Sequence, residues 1–88
     1  MKKTIWKYKL DIVDEQFIEM HQYSKLLSVA MQGNELCLWA VVEPERDMGT
    51  VQIRIFGTGN PVYFGSLPFL GTVQEGRFVW HVFGGMIK

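Results

Sequence analysis

The chain has 88 residues, with nine Lys or Arg against nine Asp or Glu, so its formal net charge is zero. A nucleic-acid binder of this size carries a basic excess on one face, because phosphate contacts dominate that affinity. Here the only basic concentration, Lys2, Lys3, Lys7 and Lys9, is offset directly by Asp11, Asp14, Glu15 and Glu19, which argues against a nucleic-acid partner.

The length corresponds to one domain, residues 1–88, able to bury about 60–65% of the surface of its unfolded chain. Hydrophobic residues make up 48% and aromatics 14%, with Trp6, Trp39 and Trp80 as the largest side chains. That is more apolar surface than one small core needs, and the surplus points to an interface or a pocket. The single cysteine, Cys37, excludes an internal disulfide and suits a reducing cytosol. No stretch approaches the ~20 apolar residues of a membrane span. A signal peptide needs a continuous apolar run near the start, and Thr4–Leu10 alternates instead. An intracellular protein with no membrane association is expected.

Thr4–Leu10 has the period of a half-buried strand, Trp6, Tyr8 and Leu10 on one face and Ile5, Lys7 and Lys9 on the other. Lysines on such a strand discourage unwanted edge pairing. Asp14–Met20 fits neither helix nor strand period well: Asp14 could cap a short helix, and the favoured alternative is a short extended segment returning alongside the first strand. His21–Ser24 is a polar turn. Lys25–Val42 reads as a hairpin: Leu27, Val29 and Met31 alternate with Ser28, Ala30 and Gln32, Gly33-Asn34 tolerates positive φ, and Leu36–Val42 returns. That second strand is apolar on both faces, Leu36, Leu38, Ala40 and Val42 against Cys37, Trp39 and Val41, as in strands covered on both sides. Glu43–Gly49 is a charged loop. Thr50–Phe56 is a strand with Val51, Ile53 and Ile55 inward and Gln52, Arg54 and Phe56 outward, broken by Gly57–Pro61. Val62–Pro68 is an irregular aromatic loop. A last hairpin comprises Phe69–Gln74, a Glu75-Gly76 turn and Arg77–Phe83, whose faces carry Phe78, Trp80 and Val82 against Val79, His81 and Phe83. Gly84–Lys88 is expected to fray. The predicted fold is all-β, a small antiparallel sandwich or open barrel of six to seven strands.

Gly57, Thr58, Gly59 and Asn60 sit at a strand end, where backbone N–H groups and a hydroxyl can face an anion, three residues beyond Arg54. Tight-turn glycines explain the same residues. The segment is neither a dinucleotide fingerprint, since Val62 stands where the third glycine is needed, nor a P-loop. Arg54 shares a face with Phe56 and fits a phosphate or carboxylate clamp. His81 reads either as a hydrogen-bonded structural histidine or as a ligand contact. Catalysis would require an orienting carboxylate and a nucleophile, and no such set is evident. Trp39 serves equally as core or as a stacking surface, and Phe64 as a ring contact. Cys37 reads as a small buried hydrophobe, and the two histidines and Cys37 lack metal-site spacing. No enzyme activity, cofactor or metal is expected.

Ile5-Trp6-Lys7-Tyr8, Glu15-Gln16 with Ile18-Glu19-Met20, Leu36-Cys37-Leu38-Trp39-Ala40, Ile53-Arg54-Ile55 followed by Gly57-Thr58-Gly59, and Trp80-His81-Val82-Phe83 together resemble a family of small, uncharacterised phage and prophage proteins, over roughly Thr4 to Phe83. The resemblance implies work in the cytoplasm of an infected bacterium. Small phage accessory proteins counter host defences by inhibiting a protein or by sequestering a nucleotide immune signal between subunits. The expectation is a non-enzymatic homo-oligomer holding a small anionic, nucleotide-type ligand through Arg54, Gly57, Thr58, Gly59, Asn60, Trp39, Phe64 and His81. The alternative is a module that inhibits a host protein through an apolar face. The second faces of Leu36–Val42 and Phe78–Phe83 are expected to be covered by a partner subunit, a ligand, or both.

Overall fold

The computed structural model describes residues 2–87. Seven strands follow one another: β1 (Thr4–Leu10), β2 (Glu15–His21), β3 (Lys25–Gln32), β4 (Glu35–Val42), β5 (Met48–Gly57), β6 (Phe69–Glu75) and β7 (Phe78–Ile87). They form a three-stranded sheet ordered β1-β4-β3 and a four-stranded sheet ordered β2-β5-β7-β6, with every pairing antiparallel. The result is an open two-layer sandwich of Cα dimensions 42 × 29 × 15 Å. Among the described residues no helix is long and apolar enough to cross a membrane.

The two sheets meet through the inward residues that strand periodicity assigns. Leu36, Leu38, Ala40 and Val42 of β4 form one core with Val51, Ile53 and Ile55 of β5 and Val82 of β7. On one side the edges of β3 and β6 come together, where a Cβ on Gly71 would lie 2.9 Å from Val29 Cγ2. The absent side chain is what allows this approach. On the other side β1 and β2 remain as sheet edges, joined by the short connection Asp11–Asp14.

Both hairpin turns use one glycine at the first central position. Gln32 pairs with Glu35 and Glu75 with Phe78, so the turns are Gly33-Asn34 and Gly76-Arg77. Positive φ falls on Gly33 (63°) and Gly76 (58°) and not on Asn34 or Arg77, the requirement of a type II′ hairpin turn. The second turn thus lies one residue later than Glu75-Gly76.

Three expectations are corrected. Asp14–Met20 does not return alongside the first strand: β2 pairs with β5 in the opposite sheet, Ile18 against Val51. Its inward face (Gln16, Ile18, Met20) is shielded from water by the sandwich interior, which a local period does not reveal. Leu27 does not face the core. A bulge between Leu26 and Ser28 shifts the register, turns Leu26 inward and leaves Leu27 40% exposed. The tail does not fray through residue 87: β7 continues, Gly84 opposite Ile53 and Met86 opposite Val51, because β5 is long enough to hydrogen-bond it. Lys88 lies outside the described residues.

At one end of the sandwich the β4–β5 loop is fastened to β2. His21 Nδ1 donates to the Arg46 carbonyl at 2.7 Å, and Gln22 N–H to the Asp47 carbonyl at 2.8 Å. Arg46 lies over the Tyr23 ring at 4.7 Å and donates through Nε to Glu43 Oε2 at 2.6 Å. That hydrogen bond holds the Glu43 carboxyl below the usual carboxylate range and raises Arg46. A depressed folded-state value means the pair's contribution is complete at neutral pH and is lost as pH falls through it. Glu43→Gln should therefore flatten the acid limb of a stability-versus-pH curve relative to wild type. Toward the same end, in the last part of β7, a Cβ on Gly84 would sit 2.5 Å from Ile53 Cδ1 and 3.2 Å from the Gln52 carbonyl oxygen. Gly84→Ala should destabilise by about 1–3 kcal/mol in urea unfolding, whereas a frayed tail would show no change.

Candidate functional site

The outer face of the four-stranded sheet is covered by the chain itself. The segment 58–68 leaves the end of β5, crosses this face and returns into β6. Phe64 stacks on Phe83 at 4.1 Å with the planes 9° apart. Phe56 and Phe69 meet Phe83 edge-on at 5.9 and 5.3 Å. Outward Phe56 is consequently only 8% exposed. The second face of Phe78–Phe83 therefore has a cover from its own loop, in place of the partner or ligand expected there. Offset and edge-on ring pairs of this kind add about 0.5–1.5 kcal/mol each beyond burial.

His81 is structural in this arrangement. Its Nε2 is 2.7 Å from Thr58 Oγ1 and its Nδ1 2.9 Å from Thr72 Oγ1, so both ring nitrogens are engaged by threonine hydroxyls on either side. Thr58 is likewise committed, its N–H donating to the Val79 carbonyl at 3.4 Å. Asn60 N–H donates to the Gly57 carbonyl at 3.1 Å. The glycine segment is a closed turn whose Thr58 and Asn60 N–H groups are already used, not an open cradle for an anion. Gly59 supplies the turn's positive φ of 90°. At Gly57 the space is tight for a different reason: a Cβ there would lie 3.0 Å from Asn60 Nδ2 and 3.3 Å from Trp80 Cζ3.

Two clefts flank this loop, and Arg54 and Tyr63 line both. One, of about 380 Å³, runs between the β1–β2 connection and the turn and is walled by Asp14, Gly57, Asn60 and Trp80. The other, of about 600 Å³, passes along Gln52, Phe64 and Leu67. Tyr63 is 70% exposed between them. Arg54 is fixed by register: Glu15 stands opposite it in β2, and Arg54 Nη1 donates to Glu15 Oε2 at 3.0 Å. Gln52 Nε2 donates to the same oxygen at 2.7 Å. The guanidinium lies 6.0 Å from the Phe56 ring centroid. Its Nε is buried with no hydrogen-bond partner among the described residues, leaving one donor on the cation unpaired.

Of the residues singled out from sequence, the fold thus gathers Arg54, Gly57, Asn60 and Phe64 around these clefts and sets Thr58 and His81 behind them as supports. Trp39 is not part of the group. It lies on the outer face of the other sheet, between Lys7 and Ser28 on the neighbouring strands. Its cover is lysine: Lys7 reaches across β4 to donate to Gln32 Oε1 at 2.6 Å. Lys9, opposite Cys37, pairs with Glu35 at 3.3 Å. Aliphatic lysine stems lying on apolar surface account for a Cys37 with no exposure on a face that has no third layer. Sequence reasoning missed Tyr63 and Glu15. Tyr63 was one aromatic among several in an irregular loop, and Glu15 acquires its role only through its pairing with Arg54. Phe64→Ala, which removes the stacked ring, should open residues 58–68 to limited proteolysis and lower stability by about 1–2 kcal/mol.

Comparison with curated proteins and with solved structures gave no match. A family model described as a domain of unknown function matches residues 1–87. The chain, an all-β sandwich with a loop-covered face and an arginine between two clefts, belongs to that family, DUF7352.

Proposed function

We propose that the protein is a non-enzymatic binder that sequesters a small planar anion of nucleotide type at the Arg54 clefts, working as a phage or prophage accessory protein in the host cytoplasm, where it counters a defence signal. The observation that carries this reading is the Arg54 side chain, which is 27% exposed and lines both clefts with only its Nη1 engaged among the described residues, by Glu15. An anionic oxygen in either cleft would accept from the terminal guanidinium N–H groups that Glu15 leaves free. Exposed Tyr63, with Trp80 across the first cleft, offers faces on which a base can stack. The cleft volumes fall within the ~300–1,000 Å³ of small-molecule sites. Glu15 already shares the guanidinium, so the ligand's acidic group competes with a carboxylate, and affinity depends on stacking as well as charge.

A second reading is supported by a different observation. Phe17 on β2 is 55% exposed on the outer face of the four-stranded sheet, and Phe69 on β6 stays 57% exposed despite its contact with Phe83. An inhibitor of a host protein would dock through such side chains.

Thermal melting with cyclic dinucleotides and cyclic ADP-ribose isomers separates the two. A ligand in hundredfold excess over its Kd stabilises by about 2.7 kcal/mol, which raises Tm by about 10 °C or more for a domain this small. Tyr63→Ala should retain the wild-type Tm without ligand and lose most of that rise, and Arg54→Gln should lose it entirely. No shift with any of these compounds, together with a stoichiometric host protein in a pull-down, would favour the second reading.

A further inference from the structure

The two sides of the sandwich are closed differently. Where β3 meets β6 the edges shield each other through the Gly71–Val29 approach. On the opposite side β1 and β2 each lack a hydrogen-bonded outer neighbour among the described residues. Two contacts hold these free edges level with each other. Gln16 Nε2 donates to the Asp11 carbonyl at 2.6 Å near one end, and the Trp6 and His21 rings meet at 5.7 Å near the other. Odd-numbered residues point outward on both strands: Ile5, Lys7 and Lys9 on β1, and Glu15, Phe17 and Glu19 on β2. One free edge is basic and the other acidic.

We propose that a second copy of this chain covers both edges, β1 of each protomer pairing antiparallel with β2 of the other about a two-fold axis parallel to the strands. The axis brings the three-stranded sheet of one protomer into line with the four-stranded sheet of its partner. Outer faces remain outer and inner faces inner. The intrachain contacts set Asp11 level with Gln16 and Trp6 level with His21. Two face-preserving registers therefore lie equally near, with Lys7 or Lys9 opposite Glu19 of the partner subunit. Charge favours the first, which also brings Glu15 of the partner subunit beside a lysine. Lys9 then stands opposite the partner's Phe17 and diagonal to two carboxylates, both within reach of a cross-strand lysine.

Charge selects this arrangement over its rivals. Joining β1 to β1 sets lysines against lysines, and joining β2 to β2 sets glutamates against glutamates, each unfavourable at cross-strand distance. Only β1 against β2 alternates the signs. Among the described residues Lys7 and Glu19 form no ion pair, and Lys7 gives up only an exposed hydrogen bond to Gln32. The pairing also covers Ile5, Trp6 and Phe17, exposed by 58%, 42% and 55%, and satisfies two rows of edge N–H and C=O groups. It is isologous and closes on itself, so it stops at two chains.

The interface stands on edge geometry and charge and does not depend on the Arg54 ligand, so failure of either proposal leaves the other intact. Light scattering across a concentration series should show wild-type chain at twice the monomer mass. Lys7→Glu and Glu19→Lys should each weaken the dimer by about tenfold or more, by placing like charges at both halves of the interface. The double variant Lys7→Glu/Glu19→Lys should recover it, which pairing of like strands does not allow. Oxidation of mixed Lys7→Cys and Glu19→Cys chains should cross-link unlike chains and reads the same contact without charge reversal; native Cys37 is buried and does not compete. A wild-type chain that stays monomeric at millimolar concentration, a double variant as weak as the single ones, or cross-links only between like chains would overturn the proposal.

Discussion

One apolar layer holds this molecule together. The inward side chains of β4 (Leu36, Leu38, Ala40, Val42) and of β5 (Val51, Ile53, Ile55) form a common core in which none is more than 4% exposed. In a body 15 Å thick along its shortest Cα axis there is space for that layer and no other. The layer's closeness depends on missing side chains. Gly71 lets the β3 and β6 edges meet, and Gly84 gives Ile53 the space that a Cβ would occupy. These glycines act as spacers between packed surfaces, which is a different use from the positive-φ glycines of the hairpin turns.

With no third layer, the outward apolar residues have to be covered by other means, and the two sheets do this differently. On the three-stranded sheet, Lys7 and Lys9 lay their stems across Trp39 and Cys37 and anchor their ammonium groups on Gln32 and Glu35. That solution uses up polar groups and leaves Ile5 and Leu27 exposed beside the lysines. On the four-stranded sheet, segment 58–68 folds back and stacks Phe64 on Phe83. A loop cannot follow a sheet as closely as a side chain can, so it leaves clefts along its borders. Arg54 lies at their meeting point because strand register pairs it with Glu15. The concave part of the surface is thus a consequence of how one doubly apolar strand is shielded.

The free edges carry the same logic. Edge strands need protection from promiscuous pairing, and lysine on the outward face is a common means. Here the lysines of β1 are matched by glutamates on β2, at the same side of the same sandwich. A basic edge alone repels; a basic edge beside an acidic one also selects. On the other side β3 and β6 are not hydrogen-bonded to each other, but their close packing at Gly71 and Val29 leaves little room for an added strand there.

Strand positions and faces were legible in the sequence because they follow from a period of two residues, a local property. Val51, Ile53 and Ile55 against Gln52, Arg54 and Phe56 read correctly, and so did the doubly apolar character of Leu36–Val42. The errors fell where a distant partner decides the outcome. The bulge at Leu27 is a register event between strands. The order of Gly84–Ile87 comes from the extended β5 beside it, and the place of β2 from Arg54 and Val51 rather than from the preceding strand. The same reason divides the candidate site. Sequence alone determined that Arg54 points outward at the end of a glycine-broken strand. Only the tertiary structure decided that Trp39 belongs to the opposite sheet, that Thr58 and Thr72 occupy both nitrogens of His81, and that Tyr63 stands beside Arg54. Those relations are set by pairings between residues far apart in the chain, which a single sequence does not encode in any local pattern.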